Sequence, residues 1–217
     1  MSSSSPLVKV CGITRARDGA AALEAGASHI GFILYEQSPR AITLEQVGAL
    51  MAALPVPVEK PVAVEVNPDP ERLAGMATVG FARYQLHFPH DLSRERIAEW
   101  AEIVGRENLW LAPKLPPDQP FPENLLDFAE AFLIDAFSED AYGGTGHTAD
   151  WSRFADLKER FPEKKWILAG GLSPDNVVEA IAATGADRID ANSGVESAPG
   201  IKDPEKIQAL FKALATG

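Results

Sequence analysis

Along this chain, short runs of apolar and β-branched residues alternate with longer stretches whose hydrophobic positions recur at helical spacing, and the alternation repeats eight times. Such runs read as strands covered on both faces, as in a parallel sheet with helical crossovers. The pattern predicts strands over Leu7–Cys11, His29–Leu34, Val62–Val66, Arg83–Leu86, Leu109–Ala112, Ala131–Asp135, Trp166–Ala169 and Arg188–Ala191. Helices are expected to begin near Ala16, Thr43, Asp69, Ser93, Glu123, Trp151, Pro174 and Asp203. Thr43 and Gln46 suit a capping box, and Ser173-Pro174 places a cap before a proline at the first helical position. Eight units averaging about 27 residues leave little room for insertions. The expected fold is therefore α/β, a single closed (β/α)8 TIM barrel over residues 7–217 behind a disordered tail, 1–6. Pro113, Pro116, Pro117, Pro120 and Pro122 crowd the fifth unit, which predicts a short fifth helix. An open doubly wound sheet is the alternative, but no strand reads as an uncovered edge and no glycine-rich dinucleotide loop follows the first strand.

Composition narrows the function classes. The chain has 217 residues, 46% hydrophobic and 24% charged, enough for one sizeable core. A net charge of -11 argues against nucleic acid or anionic membranes as partners, so any anion site has to be local. No apolar stretch approaches the roughly 20 residues needed to cross a bilayer. One cysteine and no signal-like segment fit a reducing, cytoplasmic setting.

In a barrel the residues just after each strand share one cleft, where catalytic groups collect. Cys11-Gly12 follow strand 1, Ser38-Pro39-Arg40 strand 2, His87 strand 4 and Asp135 strand 6. Gly170-Gly171-Leu172-Ser173 follow strand 7, and Asn192-Ser193-Gly194 follow strand 8. Two neighbouring loops of glycine and serine suit a phosphate wrapped in backbone N–H groups, although Gly170-Gly171 alone is equally a tight turn. Cys11 is either a small buried hydrophobe or a reactive thiol. Asp135 is either a loop cap or half of a proton-transfer pair with Cys11, flanking a ligand from different sides of the barrel.

The motifs together resemble the phosphoribosylanthranilate isomerase family. They are Lys9-Val-Cys-Gly-Ile-Thr14, Gly31-Phe-Ile-Leu34 with Ser38-Pro-Arg40, Gln85-Leu-His87, and Asp135 with Gly143-Gly-Thr-Gly146 and Asp150-Trp151. Further along come Ala169-Gly-Gly-Leu172 with Pro174 and Asn176-Val177, and Ser193-Gly-Val-Glu196 with Pro199-Gly200 and Lys202-Asp203. The resemblance implies an isomerase of tryptophan biosynthesis that needs no cofactor or metal and performs an Amadori rearrangement of N-(5-phosphoribosyl)anthranilate. It implies Asp135 as general acid and Cys11 as general base. Arg40 would meet the anthranilate carboxylate, and Gly170, Gly171, Ser193 and Gly194 would hold the phosphate. His87 would line the cleft or merely cap its strand. The expected partner is the phosphorylated substrate, with the chain a monomer or homodimer.

Four positions depart from the family pattern: Glu65 and Ala149 where an aromatic is usual, Phe88 for glycine and Asn192 for serine. Glu65 lies in a strand covered on both faces, so it is expected to find a cation or hydrogen-bond partner, or to reach solvent. Phe88 is expected to reshape the aromatic side of the pocket, and Asn192 to keep a donor near the phosphate. Two rivals remain: a related histidine-pathway or bifunctional isomerase, and a barrel that binds without turnover. The former places a carboxylate where this chain has Cys11.

Overall fold

Each of the eight apolar runs forms a parallel strand, and the last pairs with the first. The strands are β1 (Leu7–Val10), β2 (His29–Ile33), β3 (Pro61–Val66), β4 (Arg83–Pro89), β5 (Leu109–Lys114), β6 (Ala131–Ile134), β7 (Lys165–Leu168) and β8 (Arg188–Ala191). They appear in a computed structural model that describes residues 5–54, 56–57, 60–116, 119–135 and 151–216. Helices α1 (Ala16–Glu24), α2 (Leu44–Ala53), α3 (Pro70–Ala77), α4 (Arg94–Val104), α5 (Trp151–Arg160), α6 (Val177–Thr184) and α7 (Pro204–Thr216) cover the barrel. The proline-rich fifth unit carries only a 3₁₀ helix, Glu123–Asp127, because proline supplies no N–H for a helical ladder. The Thr43 capping box forms as expected, with Gln46 N–H donating to Thr43 Oγ1 and Thr43 N–H to Gln46 Oε1.

The start of α6 is a correction. It was expected near Pro174 with Ser173 as cap, but the helix begins at Val177. Asn176 folds back into the preceding loop, accepting from Ser173 N–H at 2.9 Å and donating to Gly171 O at 3.0 Å. That closes residues 171–176 into a turn and delays the helix. The rim after β8 also adds a 3₁₀ turn (Ser193–Val195) and an antiparallel hairpin, β9 (Glu196–Ala198) and β10 (Ile201–Lys202), which sequence patterning had missed.

Alternation along each strand divides the core in two. Val8, Val10, Phe32, Leu86 and Phe132 face outward and pack under the helices. Cys11, Ile33, Val64, Trp110, Leu133 and Ile167 face into the barrel. The register pairs Lys9 with Asp190, so a buried ammonium and a buried carboxylate meet inside the barrel, Nζ 2.8 and 2.9 Å from the two oxygens. Glu65 faces outward to α3 and has its predicted cation: Arg72 Nε donates to Oε2 at 2.7 Å, while Val66 N–H donates to Oε1. Among the described residues, no helix is long and apolar enough to cross a membrane.

Candidate active site

The C-terminal ends of the strands bring the sequence-predicted residues to one rim. Cys11 stands one residue past β1 and extends the ladder by donating its N–H to Ala191 O at 2.9 Å. Its thiol is free and buried. Burial pushes the thiol pKa up, the Lys9 ammonium pulls it down and the Asp190 carboxylate pushes it up again, leaving it above the ordinary value. Gly31 on β2 provides the space: a Cβ there would lie 2.9 Å from both Cys11 Sγ and Lys9 Cε. Gly12, at φ +72°, would place a Cβ 2.8 Å from Asn192 Oδ1 and 3.0 Å from Arg40 Cδ. The rims of β1, β2 and β8 therefore converge on a glycine backbone.

Arg40 is buried and clamped. Its Nε and Nη2 donate to Glu196, with Nη2 to Oε2 at 2.8 Å. Glu196 also accepts from Lys202 Nζ at 2.7 Å and from Gly200 N–H. Burial opposes the charge on Glu196, yet Arg40 and Lys202 hold its carboxyl below the usual range. Arg40 Nη1 makes no hydrogen bond among the described residues, which leaves one edge of a rigidly held guanidinium. Lys202 also donates to Asn192 Oδ1 at 2.8 Å, so the side-chain oxygen of Asn192 is engaged.

His87 is buried on the inner face of β4. Gln85 Nε2 donates to His87 Nε2 at 2.9 Å, so Nε2 is the acceptor and the ring proton sits on Nδ1. Burial, then the nearby Lys9 charge, push the His87 pKa down to about 3, so the ring is neutral near pH 7. Asp135 follows β6 and is partly buried, with β7 and β8 standing between it and Cys11. The two groups thus face the cleft from different sides.

Gly170 and Gly171 adopt left-handed φ values of +93° and +64°. A Cβ on Gly194 would sit 2.0 Å from Leu172 O, so the loops after β7 and β8 pack backbone against backbone. A 3₁₀ turn at Ser193–Val195 follows β8 beside these loops. Gly143–Gly146, Ala149 and Asp150 lie outside the described residues.

Sequence reasoning quoted Lys9, Glu196 and Lys202 only as motif letters and gave them no role; Asp190 it did not single out. The signal was present: a charge inside an apolar strand, as in Leu-Val-Lys-Val or Arg-Ile-Asp-Ala, requires a partner. Phe88 is a second correction. It faces away from the cleft and packs edge-on against Trp100 of α4, ring centroids 5.6 Å apart, because the side chain next to inward-facing His87 points outward. An open depression of about 660 Å³ lies at the opposite, N-terminal mouth, lined by Leu7, His29, Arg83, Trp110, Lys165 and Arg188 among others.

A closed eight-stranded barrel with its thiol, carboxylate and clamped guanidinium on the C-terminal rim defines a (β/α)8 protein of the enzyme type. Residues 8–213 match the family model for N-(5'-phosphoribosyl)anthranilate isomerase, and the chain belongs to that family. The isomerase of Paracoccus denitrificans is 42% identical over 217 residues, with 96% of each chain covered. A phosphoribosyl anthranilate isomerase solved in complex with reduced 1-(o-carboxyphenylamino)-1-deoxyribulose 5-phosphate superposes with TM-score 0.78 at 30% identity, covering 97% of this chain and 98% of that one. Monomers generated from the dimeric enzyme of Thermotoga maritima superpose with TM-score 0.79 at 31% identity, covering 98% and 100%.

Proposed function

We propose that this chain converts N-(5-phosphoribosyl)anthranilate into 1-(2-carboxyphenylamino)-1-deoxyribulose 5-phosphate, the aldose–ketose isomerisation of tryptophan biosynthesis, with no cofactor or metal. The observation that carries the reading is a lone thiol and a carboxylate on one rim, separated by the two glycine-built loops. In this reading Gly170, Gly171, Ser193 and Gly194 hold the phosphate. The free edge of Arg40 takes the anthranilate carboxylate, and Glu196 keeps that guanidinium from swinging. Neutral His87 lines the cleft as a hydrogen-bonding group rather than a charge.

Asp135 donates a proton to the ribose ring oxygen as the C1–O bond breaks, and the anthranilate nitrogen lone pair forms the C1=N bond of a Schiff base. The Cys11 thiolate then takes the C2 proton. The C2–H electron pair becomes the C1=C2 bond, the C1=N pair returns to nitrogen, and the resulting enolamine tautomerises to the ketone. A reducing cytoplasm would keep the thiol available, and a monomer or homodimer would suffice because every proposed group comes from one chain.

The test generates phosphoribosylanthranilate in situ and follows the loss of its fluorescence. Cys11→Ser and Asp135→Asn should each lower kcat/KM by about 10²- to 10⁴-fold, the usual worth of general acid–base catalysis. Wild-type turnover by either variant removes that residue from its role. An inactive wild type would favour the binding-only alternative.

A further inference from the structure

We propose that Lys9 and Asp190 are positioning residues that set the pH at which Cys11 ionises, Lys9 as the counter-charge of the thiolate and Asp190 as the anchor of Lys9. The proposal rests on the reading of Cys11 as the base.

Lys9 and Cys11 are two residues apart on one strand, so both point into the barrel. Gly31 on the neighbouring strand lets Sγ and Cε close in on the same spot, since a Cβ there would lie 2.9 Å from each. Lys9 Nζ directs two N–H groups to the two Asp190 oxygens, at 2.9 and 2.8 Å. Its third N–H has no oxygen acceptor among the described residues, and the thiol is its neighbour. The other charges bearing on Cys11 are Asp190 on β8 and Lys202 on β10. Lys202 is engaged by Glu196 and Asn192, and Arg40 by the same Glu196, while on β2 His29 stands in register with Lys9 and Gly31 lies against the sulfur. A buried ion pair adds little net stability compared with apolar packing, so stability alone is a weak reason for this one. Beside a thiol it has a chemical consequence. Burial keeps the sulfur protonated, the ammonium favours thiolate against that, and the carboxylate limits the ammonium's effect.

The single cysteine makes the test direct, because thiolate ultraviolet absorbance, corrected by Cys11→Ser, reports one group only. Asp190→Asn removes the opposing anion and should lower the Cys11 titration midpoint by about one pH unit or more. The neutral pair Lys9→Met/Asp190→Asn removes the cation too and should place the midpoint above that of the single variant by a similar amount. Shifts of opposite sign support the proposal, since a merely structural role would not order them so. Equal midpoints, or a rise in Asp190→Asn, overturn it; if the double variant does not fold, the sign in Asp190→Asn decides alone. The acidic limb of kcat/KM should follow the thiol midpoint. A midpoint that moves while this limb stays still leaves Lys9 as the thiol's counter-charge and removes Cys11 as base, which separates the two failures.

Discussion

The two ends of this barrel share strands but not logic. The N-terminal mouth holds a depression of about 660 Å³ and a ring of basic residues, two of them tied to local carboxylates: Lys165 to Glu130 and Arg188 to Asp187. The C-terminal rim has left-handed glycines, loops in backbone contact and Arg40 paired with Glu196 across 156 residues of sequence, while inside the barrel Lys9 pairs with Asp190 across 181. Positive charge therefore does not mark the site. What marks it is that side chains are held by partners from distant strands while one donor of each is left over from that pairing, as at Arg40 Nη1 and the third Lys9 N–H, which neighbours the thiol.

The sharpest way to break this contrast is at the rim itself. Gly194→Ala forces a Cβ toward Leu172 O, and the loops have to part by an ångström or more. Overpacking of this kind should cost about 1–3 kcal/mol in chemical denaturation. A displacement of about 1 Å should lower kcat/KM by as much as 10²-fold, with KM rising; unchanged KM would mean that these loops do not hold the phosphate.

Next in size is Arg72→Ala, between the ends. It strands the buried Glu65 carboxylate, but the arginine side chain is 40% exposed and water replaces part of it, so a loss of about 2 kcal/mol is expected. Stability without loss in that variant would show Glu65 to be paired elsewhere.

The pH dependence of folding is a graded effect, spread over several pH units. The His87 pKa falls from 6.5 unfolded to about 3 folded, so the unfolded chain binds the proton more readily in that window. Stability from this group is complete above pH 6.5 and is lost as pH falls toward 3, with a slope of at most about 1.4 kcal/mol per pH unit. Urea midpoints between pH 4 and 7 should slope less in His87→Gln than in the wild type. The smallest effect belongs to the N-terminal mouth. Lys165→Ala removes an exposed ion pair that solvent screens, so the urea midpoint should barely move and kcat/KM should stay within twofold. A large activity loss there would erase the difference between the two ends.

Much of this was legible from the chain. Strand positions agree within three residues because period and turn chemistry are local, and the arrival of Cys11, Arg40, His87 and Asp135 at one rim follows from strand count alone. Glu65 was recognised as needing a partner, and Arg72 meets that need seven residues on, across a single turn of chain. Phe88 was misplaced because a strand buried on both faces shows no polar alternation to tell inside from outside. The start of α6 was missed because Asn176, three residues past Ser173, outcompeted the Ser-Pro signal by bonding backward into its own loop.

The sequence by itself determined the eightfold alternation, the order of rim residues and the glycines that need left-handed backbone, since each depends on neighbours a few positions away. Only the tertiary structure decided that Lys9 meets Asp190 beside Cys11, that Arg40 is clamped by Glu196 and that Gly194 rests on Leu172. The two charge contacts exist because closing β8 onto β1 joins the two ends of the chain, and no local pattern encodes which buried charge will find which partner across that closure.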